Sequence, residues 1–138
     1  MSGTKIKSIN QLRKIVPKLK KEGKRIVFTN GCFDILHFGH VQYLEKAKKL
    51  GEILIVGLNS DASVRKIKGG NRPIVNEKDR AKILSGLESV NFIVLFQEQT
   101  PLETIKAIKP DILIKGADWN KEKIVGAGFV TNYGGKVQ

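Results

Sequence analysis

The only two histidines in this 138-residue sequence fall within one tetrapeptide, His37-Phe38-Gly39-His40. An apolar run precedes it and an amphipathic run follows, so the segment reads as strand, tight turn, helix. That arrangement is one way of holding phosphate. The N–H groups of a helix N-terminus attract anions, and two imidazoles can donate hydrogen bonds to the same oxygens. A spacing of three turns both rings toward one site if the helix begins near Gly39, and Gly39 itself would let a phosphate approach the backbone closely. The bland alternative is two unrelated surface or capping histidines. A zinc site would be incomplete: Cys32 and Asp34 precede the turn, and no second ligand cluster occurs elsewhere, so no metal ligand is assigned.

Other candidates lie near the same kind of place. Gly31 permits the turn; Asp34 could contact a substrate hydroxyl or cap the turn; Cys32 could be a nucleophile or a small filler. Lys68, flanked by Gly69-Gly70, can swing onto a phosphate or stay a solvated loop lysine. Asp118 could accept hydrogen bonds from a ribose, and Trp119 could wall a base or serve in packing. Neither G-x-x-x-x-G-K-[ST] nor G-x-G-x-x-G is present, so two common phosphate-binding loops are excluded.

The elements that must position these residues follow from periodicity. Ser8 to Glu22 has helical spacing with Ser8 as N-cap, and Pro17 predicts a break into two short pieces before Gly23. Arg25–Thr29 reads as a strand, 30–39 as the turn, and His40–Leu50 as a helix with Val41, Leu44, Ala47 and Leu50 on one face. Ile53–Leu58 is apolar throughout, like a strand buried on both faces of a parallel sheet. Asn59-Ser60-Asp61 caps a short helix, Ala62–Ile67, and Lys68–Val75 is a loop. A helix over Glu77–Leu87, a strand over Phe92–Phe96, and a helix with Thr100 as N-cap and Pro101 as first residue come next. A fourth strand lies within Asp111–Lys115, the segment 116–123 is a loop, and Phe129-Val130 starts a last strand. Alternating strands and helices predict an α/β fold, a Rossmann-like parallel sheet with helices on both faces. Ligands in such folds bind beyond the carboxyl ends of the strands, here the segments 30–40, 59–61 and 116–119.

Bulk properties agree with a single domain over 1–138 carrying one core. Twenty-five Lys and Arg against 13 Asp and Glu give a formal charge of +12, which attracts polyanions in general. The excess is dispersed and forms no basic block, so nucleic acid is not the expected partner. No apolar run is long enough to span a membrane, residues 1–9 carry no secretory pattern, and the lone cysteine fits a reducing compartment. The expected location is the cytoplasm.

The stretch Phe28-Thr29-Asn30-Gly31-Cys32-Phe33-Asp34-Ile35-Leu36-His37-Phe38-Gly39-His40 resembles the signature of the HxGH nucleotidyltransferases of the cytidylyltransferase-like superfamily. Leu58-Asn59-Ser60-Asp61-Ala62-Ser63-Val64, Arg72-Pro73-Ile74, Asp79-Arg80-Ala81, Pro110-Asp111-Ile112-Leu113-Ile114-Lys115-Gly116 and Val125-Gly126-Ala127 narrow the resemblance to the heptose-1-phosphate adenylyltransferases. It runs from about Ile6 to the C-terminus. It implies a nucleotidyltransferase fold and the transfer of AMP from ATP to D-glycero-β-D-manno-heptose 1-phosphate, giving ADP-heptose and pyrophosphate for lipopolysaccharide or S-layer glycan synthesis. By the same resemblance His37, His40 and Lys68 would be catalytic, the first two gripping ATP phosphates and Lys68 bridging the α-phosphate and the incoming phosphate. The nucleotide would lie against Gly31, Cys32, Phe33, Gly39, Gly116, Asp118 and Trp119, with Asp34, Asn59 and Asp61 toward the sugar. Mg²⁺ would be carried by the nucleotide, and a homodimer is implied.

Two departures stand out. Related glycerol-3-phosphate cytidylyltransferases have Gly-Asp-Asp-Trp where this chain has Gly116-Ala117-Asp118-Trp119, which weakens the alternative of a cytidylyltransferase acting on a polyol phosphate. Family members usually continue to a Ser/Thr-rich loop and a final helix that clasp the triphosphate, whereas this sequence ends at Gln138 after Tyr133-Gly134-Gly135-Lys136-Val137. That departure keeps a third reading open, a nucleotide-binding domain without catalysis.

Overall fold

The computed structural model describes residues 5–115 and 124–138. The chain runs α1 (Ile9–Lys21), β1 (Ile26–Gly31), α2 (Phe38–Lys48), β2 (Ile53–Asn59), α3 (Asp61–Lys68), α4 (Glu77–Ser85), β3 (Phe92–Phe96), α5 (Leu102–Ile108), β4 (Ile112–Leu113), α6 (Ala127–Asn132) and β5 (Lys136–Val137). The five strands form one parallel sheet in the order β3-β2-β1-β4-β5. The chain therefore winds outward from β1 to β3, then returns to the other side of β1 to lay down β4 and β5. The direction reverses between β1 and β4, and the crevice beyond their carboxyl ends is where such sheets place ligands.

Strand alternation divides the core into two layers. Ile26, Phe28, Ile53, Ile55 and Leu113 face α1, α5 and α6, while Val27, Leu54, Val56, Leu58 and Ile112 face α2 and α4. Every residue of β2 is buried, as its uninterrupted apolar run predicts. Leu12 and Val16 anchor α1 on its sheet face, and burying each stabilises the fold by about 1.5–3 kcal/mol. Gly57 sits where an added Cβ would come 2.6 Å from the Phe28 ring, so this glycine lets a fully buried aromatic lie across β2.

The α1 N-terminus is closed by a capping box in which Ser8 Oγ accepts from the Gln11 N–H and Gln11 Oε1 accepts from the Ser8 N–H. Contrary to the two pieces expected from Pro17, α1 is one helix with Pro17 inside it. Pro17 and Arg13 are both exposed, so the carbonyl that loses its N–H partner can turn to water. Pro101 is the N-cap of α5 instead of its first residue, and its carbonyl accepts the Ile105 N–H. Strand β1 continues to Gly31 because Asn30 and Gly31 still pair with Gly57 and Leu58.

The strand expected at Phe129-Val130 is instead helix α6. Ala127 and Val130 are buried three residues apart, and Phe129 meets Tyr133 edge-on one turn later, which is helical spacing. The last strand is β5, reached by a turn at Gly134 and Gly135, where a Cβ on Gly135 would lie 2.5 Å from Val130 Cγ1. No helix among the described residues is long and apolar enough to cross a membrane.

Candidate active site

A cleft of about 870 Å³ opens beyond the carboxyl ends of β1, β2 and β4. Of the residues singled out from sequence, Gly31, Cys32, Phe33, Asp34, His37, His40, Asn59 and Lys68 line it. Gly39 lies between the two histidines in the first turn of α2 without lining the cleft. Asp61 is turned away into other contacts, and Gly116, Asp118 and Trp119 lie outside the described residues.

His37 is the N-cap of α2 and His40 its third residue. His37 Nδ1 accepts the Gly39 N–H at 3.0 Å, and His40 Nδ1 accepts the His37 N–H at 3.2 Å. The capping reading of these histidines is met by these bonds, and both residues also line the cleft. A backbone N–H can only donate, so each Nδ1 is a lone pair and each neutral ring carries its proton on Nε2. Burial, then the neighbouring His37, then the Lys68 ammonium push His40 below its ordinary pKa of 6.5. The cleft is thus lined by two imidazoles whose Nδ1 atoms are taken by backbone N–H groups, beside the N-terminus of an eleven-residue helix.

Two glycines make this stack possible. A Cβ on Gly39 would lie 2.8 Å from His37 Cε1, and one on Gly31 would lie 2.9 Å from the Phe33 ring. Phe33, held at φ 45°, meets His40 edge-on with ring centroids 5.3 Å apart, and His40 stacks on His37 at 3.9 Å. Gly31 and Gly39 thus bracket a column of Phe33, His40 and His37. The space that the sequence assigned to an approaching phosphate at Gly39 is filled by the His37 ring.

Lys68 ends α3, and Gly69 at φ 100° turns the chain directly after it. The loop that follows is tied down by Asp34, whose side chain is only 8% exposed. Asp34 accepts the Ile74 and Val75 N–H groups at 2.8–2.9 Å and lies 3.4 Å from Arg72 Nη1. Burial alone would raise its pKa; the Val75 and Ile74 N–H groups and the Arg72 guanidinium outweigh that and hold it below 3.8. Asp34 therefore belongs to the cleft wall with its carboxylate spent on the loop that follows Lys68.

Arg80 was not legible as a site residue. Its side chain is fully buried and donates to the carbonyls of Val75, Cys32 and Asn59 and to the Asp61 carboxylate, at 2.7–2.8 Å. It binds the ends of β1 and β2, the start of α3 and the loop into one unit. Asp61 is its counter-ion, and the Asp61 N–H is itself taken by Glu77. Asn59 is buried at the cleft with its amide donating to Ser63 Oγ. Lys115, just beyond β4, also lines the cleft; its ammonium donates to the Asn30 carbonyl, and burial lowers its pKa below 10.5 against the opposing pull of Cys32. A charged residue following a short strand at the switch point is the signal that could have found it.

The family model described as cytidylyltransferase-like matches residues 28–128. The Bifunctional protein HldE of Geotalea uraniireducens (strain Rf4) is 53% identical over 137 residues, which is 99% of this chain and 28% of that protein. The Bifunctional protein HldE of Wolinella succinogenes is 56% identical over 129 residues, covering 94% of this chain and 27% of that protein. The chain thus spans little more than a quarter of the length of these curated relatives. Among solved structures, the lipopolysaccharide core biosynthesis protein from Thermoplasma volcanium GSS1 superposes with a TM-score of 0.68 at 33% identity, covering 84% of this chain and 93% of that one. Pantoate-beta-alanine ligase from Francisella tularensis, complexed with beta-gamma ATP and beta-alanine, shares the fold at a TM-score of 0.66 and 18% identity, covering 96% of this chain and 65% of that one.

Proposed function

This chain belongs to the cytidylyltransferase-like family, and we propose that it transfers AMP from ATP to D-glycero-β-D-manno-heptose 1-phosphate, releasing pyrophosphate and forming ADP-heptose. The observation that carries this reading is the pair of imidazoles whose Nδ1 atoms are occupied by backbone N–H groups, leaving Nε2–H donors at the cleft. Such fixed donors suit oxygens that gain negative charge, which is where electrostatic preorganisation accelerates a reaction most. The choice of heptose rests on the motif resemblance, and identities of 53% and 56% to HldE proteins support it.

In this mechanism an oxygen of the sugar phosphate attacks the α-phosphorus of ATP in line. A new P–O bond forms, the bond to the β-phosphate oxygen breaks, and pyrophosphate leaves with that electron pair. No covalent enzyme intermediate is needed. His37 and His40 donate to phosphate oxygens of the leaving group, and Lys68 spans the α-phosphate and the incoming phosphate. This is catalysis by positioning and charge neutralisation.

Mg²⁺ fits as a passenger of the nucleotide. It prefers oxygen ligands, which the nucleotide's phosphates supply, while the Asp34 oxygens are already engaged. When bound, the ion would neutralise the triphosphate. The same reading takes residues 1–138 as one nucleotidyltransferase domain, acting in the cytoplasm on a nucleotide and a sugar phosphate, and as a homodimer.

The test is pyrophosphate release with ATP, CTP and GTP against heptose 1-phosphate, glycerol 3-phosphate and other sugar phosphates. ATP with heptose 1-phosphate gives the fastest release. Preference for CTP with glycerol 3-phosphate would replace the assignment, and no turnover of any pair would remove the enzymatic reading.

A further inference from the structure

One hydroxyl pair in the cleft has its hydrogen-bond direction fixed by the backbone. Thr29, fully buried on β1, donates its Oγ1 proton to the Ile114 carbonyl at 3.1 Å. The same Oγ1 lies 2.8 Å from Tyr43 Oη on α2. A threonine hydroxyl has one proton, and a carbonyl can only accept it, so in the second bond Thr29 must accept and Tyr43 must donate. Burial raises the Tyr43 pKa above its ordinary 10.0, so the phenol retains the proton it donates. The proton of Tyr43 is thereby directed inward to the sheet, which leaves its Oη only lone pairs to offer a further partner, and Tyr43 lines the cleft with Asn59 and Lys115.

We propose that Tyr43 is a specificity-determining residue whose Oη accepts a hydrogen bond from a hydroxyl of a bound polyhydroxylated substrate. The inference rests on the nucleotidyl-transfer reading for the identity of that ligand. It gives the cleft a polarity. His37, His40 and Lys68 offer donors and suit phosphate, whereas Tyr43 opposes phosphate and suits a donor. An analogue lacking the contacted hydroxyl leaves the Tyr43 lone pair desolvated without a partner, which is the kind of loss that produces discrimination. The hydroxyl could belong to the ribose or to the acceptor sugar, and both present the same chemistry.

The experiment compares wild type, Tyr43→Phe and Thr29→Val by calorimetric binding of ATP, 2′-deoxy-ATP, 3′-deoxy-ATP, heptose 1-phosphate and singly deoxygenated heptose 1-phosphates. In wild type one deoxy analogue binds about fivefold to tenfold more weakly than its parent, and in Tyr43→Phe that ratio falls to about one. The nucleotide arm or the sugar arm in which this occurs identifies the source. Thr29→Val frees the Tyr43 proton and narrows the same ratio while the phenol remains. Equal losses for parent and every analogue in Tyr43→Phe, or no loss at all, overturn the proposal. Pyrophosphate release by wild type is read separately: binding without release removes the nucleotidyl-transfer reading while the binding ratios still decide the role of Tyr43. Absence of binding by every ligand overturns both.

Discussion

The His37 and His40 imidazoles stack with ring centroids 3.9 Å apart and 27° between their planes, and a backbone N–H is bonded to Nδ1 of each ring. A proton added to either Nδ1 would face the N–H already donating there and break the helix cap. Protonation of His40 therefore opposes the cap that its Nδ1 closes.

The first prediction is the pH dependence that follows. Burial, His37 and Lys68 depress the His40 pKa below 6.5 in the folded state. Between that depressed value and 6.5 the unfolded chain binds more protons than the folded one, so stability rises with pH across the window. The contribution is complete above 6.5 and is lost as pH falls through the folded pKa. The Asp34 carboxyl, held below 3.8, contributes its own loss only at more acid pH. Urea midpoints measured from about pH 8 down to about pH 5 should decline in wild type and flatten in His40→Asn. Parallel curves would contradict the assignment to His40.

The second concerns Asp34, which holds the loop after Lys68 through the Ile74 and Val75 N–H groups. Asp34→Ala leaves both N–H groups without their charged acceptor, a loss of about 1.5–3 kcal/mol in the local closing energy of the loop. Trypsin cleavage after Lys68 should then accelerate roughly tenfold to a hundredfold. Asp34→Asn, which keeps an acceptor oxygen without the charge, should fall between. Unchanged cleavage in Asp34→Ala would show that the loop is held by something else.

Arg80 gives the third. Arg80→Met removes the donors to Val75, Cys32 and Asn59 and leaves Asp61 without its counter-ion. Asp61 is 25% exposed and can rehydrate in part, so the expected loss is roughly 3 kcal/mol, toward the low end for a broken buried pair. Arg80→Lys keeps the charge but not the planar fork, and should recover less than half of that. Urea denaturation decides it; a loss in Arg80→Met below about 1 kcal/mol would mean that water replaces the guanidinium.

How far the sequence speaks depends on whether a residue's neighbours are local. Strand β2 was legible because seven consecutive buried positions carry one signal. The histidine pair was legible because a cap is local, with both rings bonded within three residues along the chain. Helix α6 was not: Phe129-Val130 is a two-residue apolar run between Gly128 and Thr131, and its helical face appears only when Ala127 packs beside Val130. Arg80 was not legible either. On a helix otherwise rich in charge it looks like a solvated side chain, and its partners at Cys32 and Asn59 are 48 and 21 residues away. The role of Asp34 was legible only as a choice between capping and ligand contact, because the loop it anchors lies about forty residues on.

The last prediction separates stability from function at Gly39. Its backbone carries no positive φ, and helix propensity alone favours alanine there. A Cβ, however, would lie 2.8 Å from His37 Cε1 and 3.1 Å from His37 Nδ1, so the imidazole must swing away, losing both the Gly39 N–H bond and the stack on His40. The propensity gain and the lost cap are each about 1 kcal/mol and nearly cancel. Gly128→Ala in α6, where nothing lies within 4 Å of the added Cβ, supplies the propensity gain alone. In Gly39→Ala the urea midpoint should stay close to wild type while pyrophosphate release falls roughly a hundredfold, the scale on which a misplacement of about 1 Å acts. A variant that is more stable and equally active would mean that the imidazole column between Gly31 and Gly39 holds the helix end but not the substrate.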